Sequence, residues 1–345
     1  MKQLFKKLKN NIGIIIIVLS FFVVIAAGLI NGTLPKALIS IRKANPLFII
    51  LAIIFYLFYI LINSIAQKSF IHSQGYYLSL KESFYSAIAS IYYANITPFS
   101  AGGIPTQIYY LSKQGIPVGI ASASVMCFVN AWNIMRLFLI TAYIIERHSF
   151  LQSVLGNNLI FLYIGYLYNL YIVFLFLFLG FVRKPVQYII KLIDKVVRGL
   201  HLSQNPEKIY TKLSSTVETY HDAMQKILLH PSEILKQLFF GLVYVFLLNS
   251  IIYLSYKSLG LSRSQYYDLF GMSMCQNIAS AYLPTPGGAG GQEFIYELFF
   301  GSMIKGSSLL AVMLIWRFIT FYFILFFGAI IVSAKSIHIN NKLHN

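Results

Sequence analysis

Long apolar runs dominate the chain, and six of them are long enough to cross a membrane as single helices. They cover Ile12–Ile30, Pro46–Ala66, Val118–Ile145, Leu159–Phe181, Ile234–Tyr256 and Ser308–Ala334. A membrane-crossing helix needs about 20 predominantly apolar residues, and each run is close to this length or longer. The pattern therefore predicts about six full transmembrane helices.

Two further apolar regions, 80–115 and 267–305, are broken by proline and glycine. The breaks contain Pro98, Gly102 and Gly103 in the first region, and Pro284, Pro286, Gly287, Gly288, Gly290 and Gly291 in the second. Proline removes a backbone donor and clashes with the preceding turn, so a straight helix cannot continue through it. Each region is predicted to form a re-entrant hairpin, and the halves of the first are about 16–18 residues long, short for a full span.

Composition supports a membrane protein. Of the 345 residues, 58% are hydrophobic and 11% are charged, and the mean hydropathy is +0.71. Soluble domains carry about 25% charged residues, so a soluble globule is excluded, and two cysteines exclude a disulfide framework. The net charge of +17 is interpreted as topology-setting charge that meets anionic lipid headgroups, and nucleic acid is not predicted to be a direct partner.

The basic residues predict the orientation. The N-terminus carries Lys2, Lys6, Lys7 and Lys9, the segment 182–233 is basic and amphipathic, and Lys335 and Lys342 follow the last run. The positive-inside rule assigns these three parts to the cytoplasm, although the basic loop 31–45 argues against it. The chain is then a multi-pass protein of the plasma membrane with both termini in the cytoplasm, and the two broken regions enter the membrane from opposite sides.

An internal repeat fits this arrangement. Gly102-Gly103 with Gln107, and Gly287-Gly288 with Gln292, share the pattern Gly-Gly-x-x-x-Gln 185 positions apart, and each is followed by a span with Trp and Arg. We therefore predict an all-α polytopic membrane protein, one integral membrane domain over 1–345, whose inverted repeats cover 11–146 and 158–335 with 182–233 on the cytoplasmic side.

Few charges lie within the apolar regions. Arg136 and Arg317 are near the middle of spans, Glu293 directly follows the second break, and Glu297 is one helical turn further. Intramembrane ionisable residues are costly and suggest function, and arginine binds phosphate in a bidentate manner. One hypothesis is that Arg136 or Arg317 binds a lipid phosphate with Glu293 as gate or counter-charge; the other is a buried Arg–Glu pair that locks two helices. The two are compatible, since such a pair can open to admit a headgroup.

Polar side chains accompany both breaks: Asn95, Thr97 and Gln107 at the first, Asn277 and Gln292 at the second. Helix breaks at matching positions of inverted halves indicate a transporter binding site, so these side chains are candidates to hydrogen-bond a headgroup. Capping of the broken helices explains them equally well. No catalytic constellation, metal site or cofactor motif is predicted.

The breaks also carry a resemblance. Asn95-x-Thr-Pro-Phe-Ser-x-Gly-Gly103, then Leu283-Pro-Thr-Pro-Gly-Gly-Ala-Gly-Gly-Gln-Glu293 and Trp316-Arg317-Phe318 resemble the lysylphosphatidylglycerol synthase transmembrane-region family of flippase-like membrane proteins. Fuller members join this region to a cytosolic domain that transfers an aminoacyl group from tRNA to phosphatidylglycerol, and the membrane region moves the product to the outer leaflet. The resemblance implies the short form without that domain, with Pro284, Pro286, Gly287, Gly288, Gly290, Glu293 and Arg317 matching the family motif.

The function that the resemblance implies is a lipid flippase. Its substrate is expected to be an anionic or aminoacylated membrane phospholipid similar to lysylphosphatidylglycerol, whose movement contributes to resistance against cationic antimicrobial peptides. The alternative is an enzyme, a phosphatidylglycerol lysyltransferase, or its membrane subunit or scaffold. Either of these alternatives requires a partner synthase or a catalytic domain from another chain.

Overall fold

Helices form almost all of the described chain. The computed structural model describes residue 19 and residues 21–200 and 205–344, and these residues contain no β-strand. In chain order the helices are α1 (Phe21–Ile30), α2 (Leu34–Arg42), α3 (Pro46–Ser73), α4 (Leu80–Ile96), α5 (Gly103–Ser112), α6 (Val118–Glu146), α7 (His148–Leu155), α8 (Leu159–Phe181), α9 (Arg183–Gly199), α10 (Pro206–Leu228), α11 (Pro231–Ser258), α12 (Tyr266–Ala279), α13 (Gly291–Phe300), α14 (Ser307–Arg317) and α15 (Phe323–His344).

Five helical segments of the described chain are long and apolar enough to span a membrane. They are α3, α6, α7 with α8, α11, and α14 with α15 as far as residue 334. The helices α1 and α2, bent by 105°, form a sixth candidate. The predicted class, an all-α polytopic membrane protein, is confirmed; most of the first half of the predicted span Ile12–Ile30 lies outside the described residues.

Each broken region consists of two short helices around a three-residue 3-10 turn. The helices α4 and α5, of 17 and 10 residues, flank Pro98–Ser100, and α12 and α13, of 14 and 10 residues, flank Pro286–Gly288. At 1.5 Å per residue, even α4 is only about 26 Å long, shorter than the ~30 Å hydrocarbon layer. The prediction of two halves of 16–18 residues is right for α4 and wrong for α5, which ends before the glycine turn at Gly115.

The two breaks have the same backbone conformation. Thr97 and Thr285 both precede a proline and are extended, because a following proline disfavours the helical region. The residues after each proline, Phe99 and Gly287, are left-handed with φ of 54°.

This match corrects the predicted register of the repeat. Both breaks contain Thr-Pro-x-x-Ala-Gly-Gly, and equivalent positions are 188 residues apart. Gly102 and Gly103 therefore correspond to Gly290 and Gly291, and the predicted match of Gly102 with Gly287 is wrong. The second break contains Gly-Gly twice, and the backbone pairs the copy that opens the next helix.

The described part of the basic segment 182–233, which leaves out residues 201–204, is mostly helical. It forms α9 and α10 and continues into the start of α11. The helix α10 packs closely on α6, where a Cβ on Gly119 would lie 2.5 Å from the carbonyl oxygen of Thr216. This contact holds α10 against the bundle.

Burial separates central from peripheral helices. Half of the 28 residues of α11 are buried, since it packs against both α3 and α6. In contrast, α8 buries 5 of 23 residues, among them Asn169 and Val173. The helix α11 is therefore central, and most of the surface of α8 faces the surroundings.

The last span contains a π-helical turn, Phe318–Tyr322, between α14 and α15. The Tyr56 hydroxyl of α3 donates a hydrogen bond to the Thr320 carbonyl oxygen at 3.0 Å, which supplies a partner to a carbonyl within the irregular turn. Beyond it, Gly328 packs on the Tyr92 side chain of α4.

Candidate functional site

The two helix breaks contact each other inside the bundle. A Cβ on Gly287 would lie 2.9 Å from the carbonyl oxygen of Asn95 and would overlap the ring of Phe321. Because Gly287 also has a positive φ, this position requires glycine on two counts. The sequence elements that were predicted to approach from opposite halves are therefore adjacent in space.

Arg317 has a buried carboxylate partner. Its Nε donates to Glu293 Oε1 at 2.5 Å and its Nη1 donates to Gln292 Oε1 at 3.0 Å. The other carboxylate oxygen, Oε2, accepts from the backbone N–H of Gly290 at 2.7 Å. Arg317 and Glu293 are 3% and 8% exposed. This is the arrangement of the structural hypothesis, an ion pair that joins α13 to α14.

Arg136 has no such partner. Among the described residues it forms no ion pair, and its Nη2 donates to the amide oxygens of Asn133, at 2.7 Å, and Asn169. The guanidinium lies over the ring of Trp132, 4.7 Å from its centroid, and Nε is buried without a partner among the described residues. At 8% exposure, Arg136 is a buried cation whose hydrogen-bond partners among the described residues are neutral.

A cavity of about 430 Å³ lies in front of Arg136, and we call it the central cavity. Both breaks contribute to its wall, with Phe99 and Ser100 from the first and Gly288 and Gln292 from the second. The other lining side chains include Tyr59, Trp132, Asn133, Asn169, Tyr168, Ile172, Phe176, Asn277 and Ser280. None of the lining residues is acidic, so the charge that faces this space is positive.

The structure brings some predicted residues to the central cavity. Arg136, Asn277 and Gln292 line it, and Gln292 also hydrogen-bonds Arg317, so one side chain touches both arginine environments. Asn277 is held from behind, since its Nδ2 donates to Asn249 Oδ1 at 2.8 Å.

Other predicted residues lie elsewhere. Thr97 closes its own turn, accepting from the Gly102 N–H at 2.8 Å and donating to the Tyr93 carbonyl, as the capping alternative states. Gln107 donates to Asn63 on α3 at 3.0 Å. Asn95 contributes its carbonyl to the contact with Gly287. Glu297 is exposed in a separate groove between α1, α13 and α14.

The predicted break residues are where the sequence indicates. Pro98 and Pro286 open the two 3-10 turns, Pro284 precedes the second one, and Gly287 and Gly288 have positive φ within it. Gly103 and Gly291 begin the helices α5 and α13, and Gly102 and Gly290 are their N-caps.

Sequence reasoning missed two important contacts of the cavity. Asn169 was the only amide in the apolar helix α8, and this isolated polarity was a usable signal. Tyr59 carries no comparable signal in its own sequence. Its hydroxyl accepts from the Tyr244 hydroxyl at 2.5 Å, with the two rings stacked at 4.0 Å, and this pair forms an aromatic wall that only the packing of α3 on α11 creates.

The fold and site define a class: a polytopic α-helical membrane protein in which two proline-glycine helix breaks meet beside a buried arginine that forms no ion pair within the described part of the chain. The model of the family described as lysylphosphatidylglycerol synthase TM region matches residues 11–328. The chain belongs to this family.

Two relatives carry a more neutral description. A UPF0104 membrane protein of Archaeoglobus fulgidus is 27% identical over 318 residues, which are 88% of this chain and 92% of the relative. A UPF0104 membrane protein of Methanocaldococcus jannaschii is 26% identical over 227 residues, 64% of this chain and 63% of the relative. No solved structure matches the chain significantly.

Proposed function

We propose that the chain moves a phospholipid with an anionic or aminoacylated headgroup across the membrane, and that the headgroup phosphate binds Arg136 in the central cavity. The observation that carries this proposal is the state of Arg136, which is buried, faces the cavity and has no carboxylate partner among the described residues. A buried charge is costly unless it is paired, and an anionic ligand supplies the missing partner.

The chemistry of the cavity suits a phosphodiester. A guanidinium offers several N–H donors in a planar fork, and charge-assisted hydrogen bonds to phosphate are among the stronger ones. Asn133 and Asn169 hold Nη2, so the fork is oriented before a ligand arrives. Asn277 and Gln292 add amide groups to the wall of the same space.

The position of the cavity suits a lipid. Its wall includes Tyr168, Ile172 and Phe176 of α8, the helix that buries few of its residues. A headgroup entering past α8 can leave its acyl chains in the bilayer. Irregular backbone at membrane depth is tolerated where it lines a cavity, and paired broken helices are a recurring feature of transporter sites.

Membership in the family supports an aminoacylated lipid such as lysylphosphatidylglycerol as one substrate, and protection against cationic antimicrobial peptides as the consequence. A ligand that binds two access states equally shifts neither. The direction of net movement is therefore proposed to follow lipid gradients or consumption in the receiving leaflet.

The test is a leaflet assay on proteoliposomes. Phosphatidylglycerol with a fluorescent headgroup-proximal label is reduced from outside by dithionite, and the additional accessible fraction measures movement. We expect Arg136→Gln to lower the rate about tenfold or more. Arg42→Gln, the same change at an exposed arginine outside the cavity, should leave it unchanged.

Two outcomes contradict the proposal. Equal rates for the wild type and Arg136→Gln would remove Arg136 from any lipid pathway. No movement by the wild type, with lipid aminoacylation appearing only when a synthase is added, would favour the membrane subunit or scaffold of a lysyltransferase.

A further inference from the structure

A second cavity lies between α9 and α10, away from the helix breaks. It has a volume of about 270 Å³ and is lined by polar side chains of both helices. They include Arg183, Lys191, Tyr210, Ser214, Glu218 and His221. None of these residues lines the central cavity, and we call this space the α9–α10 cleft.

His221 is the most buried group of the cleft, at 1% exposure. Its Nδ1 is 2.9 Å from the Val217 carbonyl oxygen. A carbonyl can only accept, so Nδ1 carries the proton, and in the neutral ring Nε2 is an acceptor. Nε2 is buried and has no partner among the described residues, so the cleft presents an unused acceptor.

The cleft also presents donors with positive charge. Arg183 is held by Asp222 Oδ1 at 2.6 Å and Gln225 Oε1 at 2.9 Å, both through Nη2, which leaves its buried Nε without a partner among the described residues. Lys191 lines the same space and belongs to none of the described ion pairs. These donors suit phosphate oxygens.

The hydrogen-bond acceptors of the cleft favour one class of phosphate ligand over another. The Glu218 carboxylate repels a bare phosphate, but it can accept hydrogen bonds from hydroxyl groups, as can Nε2 of His221 when only Nδ1 carries a proton. A ligand with a phosphate next to hydroxyls satisfies both sets of groups, with the phosphate near Arg183 and Lys191.

The outer surface of α9 indicates where such a ligand comes from. Tyr188, Ile189, Leu192, Ile193 and Val196 are all more than 40% exposed, and at 100° per residue they cover a continuous arc of roughly 140°. The exposed basic residues Lys184, Lys191, Lys195 and Arg198 occupy the neighbouring arc. A helix with one exposed apolar face and one basic face is typical of the membrane interface, and α9 directly follows the span α8.

We infer that the α9–α10 cleft binds the headgroup of an anionic, hydroxyl-bearing phospholipid at the membrane surface while the apolar face of α9 contacts the acyl region. The site is separate from the central cavity. The end of α8 is about 8 Å beyond Phe176, the cavity residue nearest to it along that helix, so a lipid held in the cleft is close to the proposed pathway.

Photolabelling tests this site directly. The full chain is reconstituted in phosphatidylcholine vesicles with a phosphatidylglycerol analogue that carries a diazirine at the carbonyl end of an acyl chain, and labelled peptides are mapped after pepsin digestion. We expect label on α9 and α10. Lys191→Met should reduce it about fivefold or more, whereas Lys195→Met, one turn further on the same helix and not lining the cleft, should change it by less than about twofold.

A second variant and two competitors complete the test. His221→Phe fills the cleft without altering its charged groups, and it should also abolish labelling of α10. Excess phosphatidylglycerol should compete, and inorganic phosphate at the same concentration should not. Competition by inorganic phosphate alone would indicate a site for a small anion and overturn the lipid assignment.

Equal losses in Lys191→Met and Lys195→Met would mean general attraction to a basic helix and would overturn the site. Label on α6 and α8 reports the central cavity separately. Arg136→Gln should remove that label and leave the label on α9 and α10, so failure of one proposal is distinguishable from failure of the other.

Discussion

Phe99 and Gly287 occupy equivalent positions in the two helix breaks, and both have a φ of 54°, with ψ of 18° and 19°. A left-handed backbone costs a bulky residue roughly 1–2 kcal/mol and costs glycine nothing. The two halves thus share a backbone turn although only one of them has the residue that favours it. Phe99 is 63% exposed and lines the central cavity, whereas Gly287 is buried.

Because of this difference, we expect substitutions at Gly287 and at Phe99 to affect stability differently. Gly287→Ala adds a Cβ that overlaps Phe321 and lies 2.9 Å from the Asn95 carbonyl, in addition to the unfavourable φ, so we expect a loss of about 2 kcal/mol or more. Phe99→Gly relieves the unfavourable φ, and its stability should remain within about 1 kcal/mol of the wild type. Thermal midpoints in detergent measure both, and equal loss in the two variants would contradict the shared turn.

The two buried arginines should respond differently to neutralisation. Arg317→Gln leaves the buried carboxylate of Glu293 without its ion-pair partner, and breaking one side of a buried pair costs about 3–5 kcal/mol. Adding Glu293→Gln should restore much of this loss. Unfolding of the single and double variants, analysed as a double-mutant cycle, measures the coupling between the two residues, and additive losses would show that they do not interact.

Arg136 forms no ion pair with a carboxylate of the described residues, so Arg136→Gln leaves no such carboxylate unpaired. Its stability should therefore stay within about 1 kcal/mol of the wild type, or rise, because an unpaired buried cation is itself unfavourable. The thermal midpoint in detergent, measured without added anionic lipid, tests this expectation. A loss as large as that of Arg317→Gln would mean that Arg136 is a structural residue.

Asn169 offers a way to occupy Arg136 without removing it. Asn169→Asp replaces the amide oxygen that Arg136 contacts with a carboxylate, which pairs with the guanidinium and competes with a lipid phosphate. We expect the affinity for short-chain phosphatidylglycerol, measured by calorimetry in detergent, to fall about tenfold. Asn169→Leu removes the orienting contact without adding a charge and should have a smaller effect; a gain in affinity for Asn169→Asp would contradict an anion site.

The orientation remains a prediction from the basic residues and can be checked by labelling. In a chain with Cys127→Ser and Cys275→Ala, a cysteine at Lys195 should react with an impermeant maleimide only after the cells are opened, because 182–233 is predicted to be cytoplasmic. A cysteine at Arg263, in the exposed loop before α12, should react in intact cells. The reverse pattern would invert the whole topology.

Much of the fold follows from one-dimensional patterns. The starts of α3 and α6 are marked by proline at or just before the first residue and by long apolar runs, and both positions were predicted from the sequence. The breaks were predicted because proline and glycine act on the local backbone. The register of the repeat was predicted wrongly, because Gly102 has two candidate partners, Gly287 and Gly290. The Thr-Pro-x-x-Ala-Gly-Gly pattern of both breaks already favours Gly290, and the shared backbone turn selects it.

Part of the site was also predictable from the sequence, because charged residues stand out within apolar runs. Glu293 and Arg317 were visible as charges in apolar sequence, and a pair between them was one of two hypotheses. The difference between Arg136 and Arg317 was not visible, because it depends on Asn169, which approaches Arg136 from another helix. Isolated charges are visible in a sequence, but tertiary packing determines which residues contact them.

The π turn at Phe318–Tyr322 has a consequence for the last span. It separates the ion pair of Arg317 on one side from the contact of Gly328 with Tyr92 on the other. If the same residues adopted regular α-helical pitch through this turn, the extra residue would rotate everything beyond it by about 100°. Gly328 would then turn away from Tyr92 and a bulkier neighbour would meet α4, so the extra residue fixes the rotational phase between the two ends of this helix.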